Sequence, residues 1–160
     1  MQQYLFKNPL PILVAVQARE RVEKTLLIEN PEGFACEISG TASKTLAKKI
    51  FQFFELYLSG EEGPLPPLEW RGITPFTRDV LHALTTIPCG QTRTYAEMAR
   101  AVGSPRGARA IGGACGRNPF PLLLPCHRVV AAGGIGGFSA GLEFKKKLLG
   151  FEGKIFPNLM

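Results

Sequence analysis

At 160 residues, with 45% hydrophobic and 20% charged side chains, the chain reads as a soluble globular protein of one domain or two small ones. Its longest apolar runs, residues 9–16 and 119–125, are too short to span a bilayer, and no basic segment precedes an apolar one at the N-terminus, so neither a membrane span nor a secretory leader is expected. The net charge of +6 is uneven: seven Lys and Arg face nine Asp and Glu through Glu69 (net −2), and twelve face four from Trp70 onward (net +8).

The first third carries short apolar or β-branched runs at 2–6, 12–17, 25–29 and 34–38, separated by polar stretches and the Asn30-Pro31-Glu32-Gly33 turn. They predict a small antiparallel sheet. Leu46, Ala47, Ile50, Phe53, Phe54 and Tyr57 then recur at helical spacing, which predicts a helix over 42–58. No catalytic cluster appears here, so this part is expected to be structural. SGEEGPLPPL, 59–68, is the one clear linker, and it divides the chain into expected domains 1–66 and 67–160, packed together.

The second part reads as mostly helical. Thr74-Pro75 has the form of an N-cap and first helical position, and Thr94 with Glu97 three residues on has the form of a capping box. Gly103 stops that second helix, and Ser104-Pro105 is expected to cap a third over 105–117, giving a helix-turn-helix. The third helix is small-sided at Gly107, Ala108, Ala110, Gly112, Gly113 and Ala114, with Arg109 projecting from it. Interior glycines weaken a helix by about 1 kcal/mol each, so they imply close approach of a neighbouring helix or of a nucleic-acid backbone. No acidic residue lies between Glu97 and Glu143, whereas Arg100, Arg106, Arg109, Arg117 and Arg128 do, which favours nucleic acid as the partner.

The chemistry centres on FPLLLPCHRVV, 120–130. Two prolines stiffen the run before Cys126, and His127 and Arg128 follow it, a setting that lowers a thiol's pKa and favours a nucleophilic cysteine over an inert buried one. Glu152, at the end of a last helix over 142–151, is placed to orient His127. The glycine-rich loop 131–141 matches no phosphate-loop spacing, and its Phe138 and Ser139 suit a pocket lid. Four cysteines without a C-x-x-C pair, and only two histidines, give no zinc pattern and suit a reducing cell interior, cytoplasmic or, in a eukaryote, nuclear.

PCHRV at 125–129, together with GITPF (72–76), Tyr95, ARAIGGACGRNP (108–119) and the FSAGL tail with its spaced Lys145, Leu148, Leu149, Glu152 and Gly153, resembles the O6-alkylguanine-DNA alkyltransferases. The resemblance implies an α+β chain: a small N-terminal α/β domain of antiparallel sheet plus helix, ribonuclease-H-like, and a helical C-terminal domain with a winged-helix-like helix-turn-helix. It implies direct, irreversible and stoichiometric transfer of an alkyl group from O6-alkylguanine in double-stranded DNA, with O4-alkylthymine a second candidate substrate, onto Cys126. His127 would be the water-mediated base, Glu152 its polarising carboxylate and Asn118 the brace of the turn. Tyr95, Val129, Phe138, Ser139 and Lys145 would form the base pocket. Thr94, Tyr95, Ala108, Arg109, Gly112 and Arg128 would contact the minor groove, with Arg109 filling the gap left by the flipped nucleotide. No cofactor, metal or obligate protein partner is implied, and the family predicts a monomer. Two departures stand out: the glycine loop is one residue short, and Phe138 occupies a position where tyrosine is common. Rival readings are a non-repairing protein that recognises alkylated DNA, a cysteine hydrolase or acyltransferase, and a plain helix-turn-helix transcription factor.

Overall fold

Alternation of buried and open positions along residues 12–18 makes β2 (Ile12–Ala18) the spine of a four-stranded sheet, with Ile12, Val14, Val16 and Ala18 all turned to the core. β3 (Val22–Glu29) pairs with it antiparallel, and β1 (Gln2–Leu5) pairs antiparallel with β4 (Ala35–Gly40). β4, however, lies parallel to β2, giving the order β1-β4-β2-β3. The sheet is therefore mixed, which corrects the antiparallel expectation. The 6–11 connection joins β1 to β2 across the position that β4 takes. Asn8 accepts from the Phe34 amide through its carbonyl and from the Leu10 amide through its side chain, so β4 enters between β1 and β2.

The helix α1 (Lys44–Leu58) covers one face of this sheet; Ser43 caps it by accepting from the Leu46 amide. Its Ile50, Phe54 and Tyr57 are buried, and Phe51 and Phe54 meet Tyr4, Phe6 and Phe34 of the strand region in an aromatic layer.

The computed structural model describes residues 1–155, and the chain divides into a unit Met1–Glu69 and a second that begins at Trp70. The division falls three residues beyond the expected 66, because Pro67 and Glu69 bond to both backbone groups of Val22 and extend the β3 edge. The second unit holds α2 (Pro75–Leu84), the short strand β5 (Arg93–Thr94), α3 (Tyr95–Ala101), α4 (Ala108–Gly116), a 3-10 turn (Cys126–Arg128), β6 (Val129–Val130) and α5 (Leu142–Ile155). Thr74 caps α2 ahead of Pro75, and Thr94 and Glu97 form the reciprocal capping box on α3. α4 starts three residues later than expected. Ser104 does not cap it; its carbonyl accepts from the Gly107 amide in a turn that contains Pro105, and Gly107 becomes the N-cap without a side-chain bond. Among the described residues no helix is long and apolar enough to cross a membrane.

Candidate active site

Three elements of the second unit converge on Cys126, and each is held by an identifiable local cause. The run into it, 119–125, is buried almost throughout and is bent by Leu122, whose φ of 73° is unusual for a residue with a side chain. That conformation costs about 1–3 kcal/mol and persists only where the surroundings over-determine it; here Leu122, Leu123 and Leu124 are each 2% exposed or less. The chain then closes a 3-10 turn in which the Cys126 amide donates to the Leu124 carbonyl at 2.8 Å and the Arg128 amide to Pro125 at 3.0 Å. Beyond the turn, β6 pairs parallel with β5, setting Thr94 opposite Val130. Because Thr94 is also the N-cap of α3, that ladder places Tyr95, the first residue of α3, beside the cysteine turn.

Asn118, one residue past the C-cap of α4, is the brace. Its amide nitrogen donates to the Leu124 carbonyl at 3.0 Å and to the Cys126 Sγ at 3.2 Å, while its Oδ1 accepts from the Phe120 amide at 2.9 Å. One side chain thereby fixes the loop and contacts the sulfur.

α5 contributes two buried charged groups. Lys145 and Glu152 are seven residues apart, so they share a helix face, and both are fully buried. Lys145 Nζ donates to the carbonyls of Val129 at 2.7 Å and Gly137 at 2.9 Å and lies 6.0 Å from the centre of the Tyr95 ring. Glu152 accepts from His127 Nε2 at 2.6 Å and from Arg128 through Nε at 3.1 Å and Nη2 at 3.1 Å. Arg128 Nη1 donates onward to the Ile87 carbonyl at 2.8 Å. Burial alone would raise the Glu152 pKa, but His127 and Arg128 outweigh it and hold the carboxyl down at about 2. With Nε2 engaged, the other ring nitrogen of His127, Nδ1, is buried and without a hydrogen-bond partner among the described residues.

The thiol itself is not pre-ionised. Burial pushes the Cys126 pKa up, and the bond from Asn118 and the charge of Lys145 offset this only in part. That reverses the expectation of a lowered pKa: the basic neighbours are present, but Arg128 is committed to Glu152 and the sulfur is desolvated. Tyr95 is likewise held as a phenol, raised first by burial and then by the nearby Cys115. Cys115 is buried and pushed up to about 12, again by burial first and by Cys126 second, so the α4 thiol belongs to the same electrostatic neighbourhood.

Of the expected site residues, the structure gathers Cys126, His127, Glu152, Asn118, Lys145, Val129 and Tyr95. Phe138 joins them edge-on to His127, with ring centres 6.5 Å apart. Ser139 is exposed. Arg109 projects into solvent from α4, with Ala108 and Gly112 half-buried beside it. Two α4 glycines face side chains: a Cβ on Gly112 would lie in ordinary contact, at 3.8 Å, with the ring of Tyr95 on the neighbouring helix α3, and one on Gly113 would press Arg117 Nη1 at 3.2 Å. Thr94 is half-buried and its hydroxyl is taken by the capping box. Arg128 is a correction. Expected at the DNA surface, it is 7% exposed and its guanidinium is spent on Glu152 and Ile87. The pairing of Arg128 with Glu152 was missed in the sequence; its one signal is an arginine flanked by CH and VV, apolar on the far side, which is a poor setting for a solvated charge.

Acid stability follows from this geometry. Glu152 contributes stability that is complete above its ordinary pKa of 4.5 and is lost as the pH falls through that value toward about 2. Replacement by Gln is expected to flatten the loss of stability between those pH values, measured by denaturant titration at each pH; equal slopes for parent and variant would contradict the pairing.

The family described as 6-O-methylguanine DNA methyltransferase, DNA binding domain, matches residues 75–154. The chain is 39% identical over 151 residues to the methylated-DNA–protein-cysteine methyltransferase of Methanothermobacter thermautotrophicus, covering 91% of this chain and 82% of that protein. It is 49% identical over 87 residues to a probable methylated-DNA–protein-cysteine methyltransferase of Acanthamoeba polyphaga mimivirus, which is 54% of this chain and 58% of that protein. Among solved structures, Mycobacterium tuberculosis OGT in complex with DNA superposes with a TM-score of 0.64 at 31% identity, covering 85% of this chain and 83% of that one. The matched region contains the cysteine turn, its brace and the Glu152 helix, and the chain belongs to the O6-methylguanine-DNA methyltransferase family.

Proposed function

We propose that this chain repairs double-stranded DNA by moving the alkyl group of O6-alkylguanine onto its own Cys126, once per molecule. The observation that carries the reading is the Cys126–His127–Glu152 arrangement. A buried thiol bonded to Asn118 lies next to a histidine whose Nε2 meets a carboxylate and whose Nδ1 has no hydrogen-bond partner among the described residues.

The chemistry then runs in one displacement. Glu152 holds the Nε2 proton of His127, which leaves the lone pair on Nδ1 to take the thiol proton through a bridging water. The thiolate attacks the alkyl carbon in line; the Sγ–C bond forms, the C–O6 bond breaks, and its electron pair passes into the purine. The Tyr95 phenol donates to the base, so that in net the thiol's proton ends on neutral guanine. Lys145, within electrostatic reach of the sulfur, stabilises the thiolate as it forms. A thioether is a poor leaving group, so the protein is consumed by its reaction and needs no cofactor.

The target base is stacked in a duplex and has to be extruded, at a cost of a few kcal/mol. Arg109 and Ala108 on α4, with Thr94 and Tyr95 at the start of α3, are the proposed DNA contacts, Arg109 filling the vacated stack from the minor groove. Gly112, also on α4, is a further proposed DNA contact. Val129, Phe138, Ser139 and Lys145 are the proposed walls of the base pocket. The excess positive charge of the second unit suits a polyanion partner. In this reading the first unit is a ribonuclease-H-like structural domain, the α3–α4 pair with β5 and β6 is a winged-helix-like DNA-binding module in an acceptor domain, and the protein works as a monomer inside the cell.

Incubation with a duplex carrying one O6-methylguanine is expected to add the mass of a single methyl group, mapped to Cys126 and absent in Cys126→Ala. Tight binding without any mass change would leave the recognition-only reading, and DNA-independent acylation by a thioester would favour a cysteine hydrolase. A second prediction concerns Gly136, whose φ is 76° and on which a Cβ would sit 2.9 Å from the Tyr95 hydroxyl and 3.0 Å from its Cε2. Gly136→Ala is expected to displace Tyr95 and slow single-turnover transfer by about tenfold or more; a rate equal to the parent's would remove Tyr95 from the mechanism.

A further inference from the structure

Arg117 follows the last residue of α4 and precedes Asn118. Its backbone amide closes the helix by donating to Gly113 at 3.2 Å and Ala114 at 3.1 Å. The side chain turns back over Gly113, where a Cβ would press it, and Nη2 donates to the Thr77 hydroxyl at 3.2 Å. Thr77 is 3% exposed on the first turn of α2, where it also accepts from the Thr74 hydroxyl at 3.1 Å and donates its amide to Thr74 Oγ1. The C-terminal end of α4 is thus tied to the N-terminal end of α2 by one side chain. The next residue along the chain is the one that bonds the sulfur.

We propose that Arg117, through Thr77, is a positioning residue for the acceptor: it fixes the end of α4 so that Asn118 reaches the Cys126 sulfur. An arginine in this acid-free, basic stretch otherwise reads as one more phosphate contact. The two roles separate cleanly, because Thr77 is buried, and removing its hydroxyl breaks the tie while leaving the charge of Arg117 in place. A Cβ on Gly113 would crowd the same guanidinium, which would have to give by a few tenths of an ångström. Asn118 is one of the groups holding the thiol's pKa down, so slackening the tie moves the thiol further from ionisation. The role concerns the sulfur before any DNA is present and rests on the alkyl-transfer reading for only one of its two readouts.

The test uses Thr77→Val, which keeps the packing volume, alongside Arg117→Ala and Arg117→Lys. The first readout is the pH dependence of Cys126 alkylation by iodoacetamide without DNA, followed by intact mass. The second is single-turnover methyl transfer from an O6-methylguanine duplex. Thr77→Val and Arg117→Ala are both expected to move the iodoacetamide midpoint to higher pH and to slow transfer by about fivefold, the factor that one ordinary net hydrogen bond carries. Arg117→Lys, which can still donate to Thr77, is expected to recover part of the rate. Thr77→Val is also expected to leave affinity for undamaged duplex at the parent value. Parent-like pH profiles in both disrupting variants would overturn the proposal, as would a shift in Arg117→Ala alone, since the tie runs through Thr77. A shifted iodoacetamide profile in a protein that never takes up methyl from the duplex would uphold the positioning role and defeat the alkyl-transfer reading instead.

Discussion

The second unit depends on a fully buried carboxylate. Glu152 is fully buried, and an isolated charge there would be driven to its protonated form. What keeps it ionised is a pair of cationic or hydrogen-bonding partners on consecutive residues of one 3-10 turn, His127 and Arg128. Breaking a buried pair of this kind costs about 3–5 kcal/mol, because the surviving charge is left uncompensated. The carboxylate therefore joins the end of α5 to the cysteine turn, and through Arg128 to the Ile87 carbonyl beyond α2. In satisfying its own charge it also engages Nε2 of His127, leaving Nδ1 as the ring nitrogen without a hydrogen-bond partner among the described residues. In the proposed mechanism, stability and reactivity share these side chains.

Around that centre the backbone does the positioning. The strained Leu122 and the two prolines leave the cysteine loop little freedom, and the two-residue ladder between β5 and β6 carries its geometry directly to Tyr95. Burial brings a cost: the sulfur of Cys126 is desolvated and its pKa rises. A thiol in that state is less ionised than a free one, so it reacts more slowly with electrophiles. That suits a protein whose acceptor works once, since premature ionisation would expose the sulfur to side reactions.

Much of this was legible in the sequence, and the rest was hidden for definable reasons. Caps were legible because they are local: Thr74-Pro75 and the Thr94–Glu97 box need only three or four residues to declare themselves. Cys126, His127 and Asn118 were legible from a motif, and the spacing of Glu152 placed it on the last helix. The parallel pairing of β4 with β2 was not, since strand order depends on a loop held open by Asn8, and alternation along a strand says nothing of its neighbour's direction. Ser104-Pro105 has the composition of a cap, but the turn closed by Gly107 takes its carbonyl first. Arg128 looked like a phosphate contact because charge patterning treats every arginine as solvated; only a carboxylate 24 residues away shows otherwise. Lys145 was expected in the base pocket from the resemblance, but nothing in its run of three lysines marked it as the one that is fully buried. The α4 glycines suggested a close approach to a helix or to DNA; what approaches two of them is Tyr95 and Arg117.

The central claim is that Glu152 fixes His127 with its proton on Nε2 and its lone pair on Nδ1, toward the thiol. Nitrogen-15 NMR of the imidazole rings tests this directly, because the chain has only two histidines and His82→Gln leaves His127 alone. The account predicts a protonated, pyrrole-type shift for Nε2 and a pyridine-type shift for Nδ1 in the unalkylated protein, with that preference lost in Glu152→Gln. A proton found on Nδ1 in the parent protein would leave Cys126 without a base and contradict the account.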